Sequence, residues 1–219
     1  MADSKSNEPP VSEVKLRRIR ESARGQQILE VASQAFLSKG YDATSIQEIA
    51  DEVGVLKGSL YYYITGKEDL LFAIIEDVHR GGAELLAAAQ KSSGTVEEQF
   101  HDFLMSYVSY SAQILVKAAI FDLEFRALSP EMRRQILAQR KAFDDYLTKL
   151  IISGQEAGVF RQEVIPSVAV SSIYLTINGL HRWYRSEDLS IDDVVQQYTE
   201  FFLRALRKPS RRYDVTPSH

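Results

Sequence analysis

Residues 44–71 read TSIQEIADEVGVLKGSLYYYITGKEDLL, and the fold turns on this stretch. Thr44-Ser45 offers an N-cap, and Gln47 and Glu48 follow each of them at capping-box spacing. Ile46, Ile49, Ala50 and Val53 make an apolar stripe that stops at Gly54. A second short helix fits Lys57–Ile64 before Thr65-Gly66 breaks it, and Lys67-Glu68-Asp69 opens a longer helix toward Arg80. Two short helices that meet at a glycine across a tight turn have helix-turn-helix spacing, in which the second helix enters the DNA major groove.

The second helix carries unusual chemistry for that role. Leu60 and Ile64 lie four apart and share an inward face, which leaves Lys57, Ser59, Tyr62 and Tyr63 to face out. Tyr hydroxyls donate to phosphates, and aromatic rings pack on thymine methyls. The competing reading is that the three consecutive tyrosines are core aromatics, but three adjacent rings on a short helix are hard to bury together.

Outward from this stretch, the pattern stays helical. Upstream, Ile28, Leu29, Val31, Ala32, Ala35, Phe36 and Leu37 recur with a helical period, stopped by Lys39-Gly40. Downstream, helices fit 96–113, 114–128, a run from Pro130 to Gly154 or Gly158, 167–185 and 190–207. Ser129-Pro130-Glu131 is a strong start signal, with a cap, a proline at the first position and an acid in the first turn. The prolines sit at 9, 10, 130, 166, 209 and 217, so 11–129 is free of them. No run has a useful β period. The expected fold is all-α with about nine helices: a three-helix helix-turn-helix head followed by a helical ligand-binding and dimerisation domain. The expected segments are a flexible arm at 1–14, the head at 15–67, the second domain at 68–207 and a basic tail at 208–219.

The 219 residues include no Cys, which excludes a disulfide scaffold, a thiol nucleophile and sulfur-ligated zinc. Net charge is −4, at first sight wrong for a DNA binder. The acidity belongs to 68–203, whereas 15–67 carries eight basic and six acidic residues. The densest basic run is Lys15, Arg17, Arg18, Arg20 and Arg24, opposed only by Glu21. It reads either as an arm that enters the minor groove or follows the backbone, or as a solvated tail. Met1–Pro10 has no apolar core of a targeting signal. No uninterrupted apolar run approaches the ~18 residues of a membrane span, so a cytoplasmic protein with no membrane partner is expected.

Residues 26–71 resemble the DNA-binding domain of the TetR family of transcriptional repressors. The resemblance rests on Ile28, Ala32, Phe36, Gly40, Tyr41, Thr44, Ile49, Ala50, Gly54, Val55, Gly58, Leu60, Tyr61, Tyr62, Lys67, Glu68 and Leu70-Leu71. It implies that Gln47 reaches a base and that Ser45 or Thr44 holds a phosphate. It implies that Lys57 and Gly58 approach base edges, that Ser59, Tyr61, Tyr62 and Tyr63 contact phosphates, with Tyr61 and Tyr62 sometimes touching bases, and that Lys67 clamps a phosphate. Two departures stand out: Leu56 replaces the usual Ser/Thr cap of the recognition helix, and Tyr63 and Ile64 stand where His and Phe are frequent.

The same resemblance implies a homodimer through the last two helices, with Ile173, Ile177 and Leu180 on one and Val194, Val195, Tyr198, Phe201, Phe202 and Leu206 on the other. It also implies an effector pocket within 85–185. Phe103, Tyr107, Phe125, Phe143 and Tyr174 are its candidate aromatics, and Arg126, Asn178, Arg182 and Trp183 its candidate polar or cation-bearing positions. Such a lining suits an amphipathic acid or an acyl-coenzyme A thioester. Asp122-Leu123-Glu124-Phe125-Arg126, Ser129-Pro130 and Arg182-Trp183-Tyr184-Arg185 are similar to a subgroup that responds to such thioesters. The alternative is that Arg182 and Arg185 lie along the interface beside Trp183.

Enzyme chemistry has no foothold. The four histidines form no H-E-x-x-H pair, and no nucleophile elbow, phosphate loop or dinucleotide fingerprint is present. No cofactor or metal is expected. The partners expected are a double-stranded DNA operator, a small-molecule effector and a second copy of the chain. The rival function is a helical small-molecule carrier or adaptor without operator binding.

Overall fold

Residues 11–209 are described by a computed structural model, and among them the chain forms eleven α-helices and one short 3-10 turn. In chain order these are α1 (Val11–Glu21), α2 (Ala23–Lys39), α3 (Ile46–Val53), α4 (Lys57–Leu60), α5 (Lys67–Ala89), α6 (Val96–Gln113), α7 (Leu115–Glu124), the 3-10 turn Phe125–Ala127, α8 (Pro130–Glu156), α9 (Pro166–Asn178), α10 (Leu180–Trp183) and α11 (Ile191–Leu206).

The all-α expectation holds, and two places account for the extra helices. Residues 11–14, read as part of a flexible arm, lie in α1. That helix was hidden because its anchors, Leu16 and Ile19, are two apolar residues inside a basic run. The expected helix 167–185 is broken at Gly179, where α9 ends and the single turn of α10 begins. Residues 1–10 of the expected arm and 210–219 of the expected tail lie outside the described residues.

The helices fall into two compact units. The first comprises residues up to Arg80 together with Ile114–Ala138. Its core joins Ile28 and Phe36 of α2, Ile49 of α3, Leu60, Ile64, and Leu70, Leu71, Ile74 and Ile75 of α5 to Ile120, Leu128 and Ile136. The head therefore shares its core with α7 and the start of α8, which a boundary at 67/68 does not convey. Polar contacts tie the same segments together. Tyr41 N donates to Glu124 Oε1 at 3.0 Å, Ser129 N donates to a Glu68 carboxylate oxygen, and Lys117 pairs with Asp77. The α1–α2 crossing is tight at Gly25, where a Cβ would stand 2.0 Å from the Ile19 carbonyl oxygen.

The second unit comprises Gly81–Gln113 and residues from Gln139 onward. Phe100, Phe103, Leu104, Tyr107 and Val108 of α6 are buried, as are Leu147 and Ile151 of α8, Ile173 and Ile177 of α9, and Phe202 and Leu203 of α11. After α11 the chain pairs with the segment that follows α8: Arg161 N donates to Leu206 O at 2.8 Å and Lys208 N to Val159 O at 3.0 Å. Among the described residues, no single helix is long and apolar enough to cross a membrane.

Candidate nucleic-acid interface and effector core

The helix-turn-helix is built by local capping. Ser45 Oγ accepts from Glu48 N at 3.2 Å, and a Glu48 carboxylate oxygen accepts from Ser45 N at 2.8 Å, which closes the capping box of α3. Lys39 Nζ donates to the same carboxylate at 2.9 Å. These partners hold the Glu48 carboxyl down from its ordinary 4.5 to about 2, the Lys39 contact contributing most. At the other end Gly54 takes φ 76° and ψ 39°, a left-handed stop that side-chain-bearing residues resist. Val53 and Leu60, on either side of the turn, are buried and fix the angle between the two helices.

The recognition segment is shorter than the sequence suggests. α4 covers one turn, Lys57–Leu60, and Tyr61–Tyr63 continue as turns in which Tyr62 N donates to Ser59 O and Tyr63 N to Leu60 O. Lys57, Gly58 and Ser59 are exposed. Tyr61 and Tyr62 are also exposed, at 41% and 58%. Tyr63 instead is partly buried and packs on the core, with its ring edge-on to Tyr62 at 5.1 Å. The two readings of the tyrosine triplet thus divide: two rings face out, and the third does not. Leu56 leaves α4 without a side-chain cap and is itself exposed.

The far end of the segment is held from α1. Lys15 Nζ donates to Tyr61 O at 2.6 Å and to Ile64 O at 2.9 Å. Arg18 Nη1 donates to Tyr62 O at 2.8 Å, and its guanidinium lies 3.7 Å from the centre of the Tyr62 ring. Arg20 pairs with Glu76 of α5.

Two side chains expected on phosphates turn inward. Thr44 is 2% exposed, and its hydroxyl donates to Gly40 O at 2.8 Å, so the capping position falls to Ser45, which is exposed. Lys67 Nζ donates to Tyr41 O, Asp42 O and Thr44 O at 2.6, 3.2 and 2.9 Å and lies over the Tyr41 ring at 4.3 Å. An ammonium has three N–H groups, and three carbonyls take them. Lys67 therefore organises the loop before α3 instead of presenting a free cation. Gln47 is exposed, with its amide nitrogen on Asp51 Oδ1 at 2.7 Å.

In the second unit the structure gathers part of the expected effector lining. Phe103, Tyr107 and Phe143 pack together with ring separations of 4.6–6.2 Å, Tyr107 edge-on to Phe143, and Tyr146 joins Phe103 at 5.2 Å. Asn178 Nδ2 donates to the Tyr107 hydroxyl oxygen at 2.8 Å. Burial raises the Tyr107 pKa well above its ordinary value. Arg140 lies 3.7 Å over the Tyr174 ring and pairs with Asp144 at 3.4 Å. The Tyr146 hydroxyl and Asp144 Oδ1 are buried without a hydrogen-bond partner, which marks this as the polar edge of an otherwise aromatic core.

Arg140 was missed. The signal was its position three residues before Phe143, on the same helical face. Phe125 and Arg126 are not part of this cluster. They belong to the first unit, where Phe125 packs on Phe121 at 5.3 Å and Arg126 is exposed. Arg182 and Trp183 are exposed, with Trp183 beside Tyr184 and Tyr198 at 6.2 Å each.

Of the expected dimer face, Phe201 stays outside and most of the rest is turned inward. Ile173, Ile177, Leu180, Val194, Val195, Phe202 and Leu206 are buried within the chain, and Tyr198 is partly buried. The apolar residues left outside are Ile165, Val168 and Leu175 on and beside α9, and Phe201 on α11. Ile165, Val168 and Phe201, together with Ala169, Ser172 and Ala205, line a groove of about 500 Å³.

A helix-turn-helix with an exposed cation, hydroxyls and rings, followed by a helical half with its own core, defines a DNA-binding regulator and not an enzyme. Residues 28–74 match bacterial regulatory proteins of the tetR family, and residues 93–206, more than half of the chain, match the tetracyclin repressor-like C-terminal domain. The chain belongs to the TetR family of transcriptional repressors.

Its relatives include the HTH-type transcriptional repressor KstR2 of Rhodococcus jostii (strain RHA1), 27% identical over 86% of this chain and 93% of that one. The solved ketosteroid transcriptional regulator KstR2 of Mycobacterium tuberculosis superposes with a TM-score of 0.78 at 26% identity, over 86% of this chain and 97% of that one. AibR, solved in complex with isovaleryl coenzyme A and operator DNA, superposes with a TM-score of 0.71 at 26% identity, over 85% of this chain and all of AibR.

Proposed function

We propose that the chain acts in the cytoplasm as a homodimeric repressor of a near-palindromic operator and is released by a small amphipathic effector such as an acyl-coenzyme A thioester or a fatty acid. The observation that carries the reading is the exposed surface around the Gly54 turn. Gln47, Lys57, Ser59, Tyr61 and Tyr62 are solvent-facing there on a scaffold locked from both sides. Base reading is assigned to Gln47, Lys57 and Gly58, backbone contact to Ser45, Ser59 and Tyr61, and both to Tyr62. Tyr63 and Thr44 support the fold, and Lys67 holds the loop that presents Ser45.

The dimer reading rests on Ile165, Val168, Leu175 and Phe201, four apolar side chains left exposed on and beside α9 and α11. Pairing places two recognition segments for half-sites ~34–36 Å apart. The effector reading rests on the aromatic core with its polar edge of Tyr107, Asn178, Arg140 and Asp144, and on the likeness to AibR with its bound thioester. An effector that prefers a dimer state unsuited to DNA lowers DNA affinity, and DNA lowers effector affinity by the same factor.

A band-shift assay with a duplex from the promoter region of its own gene tests the reading. Binding that weakens steeply with salt is expected. No binding at low salt by the purified dimer would reject it in favour of a carrier. Native mass spectrometry of the purified protein tests the ligand class, with a retained thioester or fatty acid as the expected mass.

A further inference from the structure

The basic run of α1 has two faces, and they do different things. Leu16 and Ile19 are buried, and Gly25 lets the Ile19 backbone rest directly on α2. This fixes α1 as a rigid support. From it Lys15 and Arg18 reach residues 44 to 49 positions further along the chain and donate to three successive-turn carbonyls, those of Tyr61, Tyr62 and Ile64. These oxygens belong to the turns that follow α4, beyond its last helical residue. α4 is four residues long, has no side-chain cap at Leu56, and ends in turns. A helix that short does not hold itself together in water. Cations on the carbonyls of the turns that end the segment are favourable through charge-assisted hydrogen bonds.

We propose that Lys15 and Arg18 are positioning residues for DNA recognition: they brace the C-terminal end of the recognition segment and orient Tyr62, instead of forming a DNA-tracking arm. Arg18 does both tasks, since one guanidinium nitrogen holds the Tyr62 carbonyl while the plane of the group stacks on the Tyr62 ring. Arg20 is committed to Glu76. Of the five cations of the run, Arg17 and Arg24 are the ones whose side chains stand fully at the surface.

The brace rests on the operator reading for its consequence but not for its existence, and the test separates the two. Amide hydrogen exchange of the full-length protein needs no DNA. In a Lys15→Met, Arg18→Met double variant, the amides of Tyr62–Ile64 are expected to exchange at least roughly tenfold faster, with those of α3 unchanged. Arg17→Met should leave both sets as they are. Lys15→Arg with Arg18→Lys, which keeps a donor at each site, should restore most of the protection. Unchanged exchange at Tyr62–Ile64 in the double variant would overturn the brace. Should the double variant fold poorly by circular dichroism, Arg18→Met alone decides through the same amides.

On DNA, the duplex from its own promoter region is compared with an unrelated duplex of equal length. A brace predicts that discrimination between the two falls roughly tenfold while the slope of log K against log salt is kept. Equal loss on both duplexes, with the slope lowered by about one for each residue replaced, would show direct phosphate contact and overturn the proposal. Failure of the wild-type protein to bind that duplex would refute the operator reading and leave the exchange result to decide the brace.

Discussion

Lys67 keeps its place in the family pattern while its ammonium rests on protein groups. Its ammonium sits on three carbonyls of the loop 41–44, and the Thr44 carbonyl is one of them. Lys67→Met would leave those carbonyls to water and loosen the loop that presents Ser45. We expect a loss of about 1–3 kcal/mol in denaturant unfolding, in line with hydrogen bonds to a charged group. DNA affinity should fall without a change in salt slope, because no phosphate contact is lost.

Glu48 gives a second residue-scale prediction. Its carboxyl is held at about 2 against an ordinary 4.5, so the native state favours the ionised form. The cap's contribution to stability is therefore fully present above pH 4.5 and disappears as the pH falls through about 2. Following the Glu48 carboxyl resonance through an acid titration checks this; a midpoint near 4.5 would contradict it. The choice between Thr44 and Ser45 was beyond the sequence, since both offer a hydroxyl at cap spacing. Burial decides it, and burial depends on α2 and on Lys67.

At the scale of elements, starts and stops were legible where the signal is chemical. Gly40 and Gly54 end α2 and α3, and Pro130 opens α8, where the sequence placed them. The break at Gly179 was not legible. Apolar spacing runs on through Leu180, while Asn178 is drawn to Tyr107, a partner 71 residues away in the chain. Of the face expected on α9 and α11, only Phe201 is exposed, for a related reason. Both helices are apolar on more than one side, and periodicity does not say which side a chain keeps for itself. Leu175 and Phe201, exposed at 71% and 63%, are the informative positions. Leu175→Glu with Phe201→Glu should give a folded monomer, with protomer stability changed by no more than about 0.5 kcal/mol. Sedimentation velocity checks the state; a dimer that survives both charges would place the interface elsewhere.

At the scale of the molecule, the −4 total says little about DNA binding, because the head and the rest differ in sign. The described structure narrows this further: Lys15, Arg18, Arg20 and Lys67 all hold protein groups. With these cations engaged by protein, affinity is expected to come from two heads acting together, so a forced monomer such as the pair above should bind the promoter duplex far more weakly than the dimer. The all-α class was legible from helical period and from the absence of proline over 11–129. The composition of the first unit was not, because Ile120, Leu128 and Ile136 join its core only through tertiary packing.

That shared core bears on how such proteins can be recombined. Domain shuffling works best where a functional part is one uninterrupted stretch of gene. Here the reading head is completed by a second stretch, 114–138, while α5 and α8 each begin in one unit and end in the other. A graft of residues 1–80 from a relative would bring most of an interior and inherit the remainder, including Ile120, Leu128 and Ile136, from its host. Exchange of specificity between relatives is expected to need both stretches, or to proceed by substitution on the exposed surface alone. Chimeras with one and with two breakpoint pairs, compared by thermal melting, would show which.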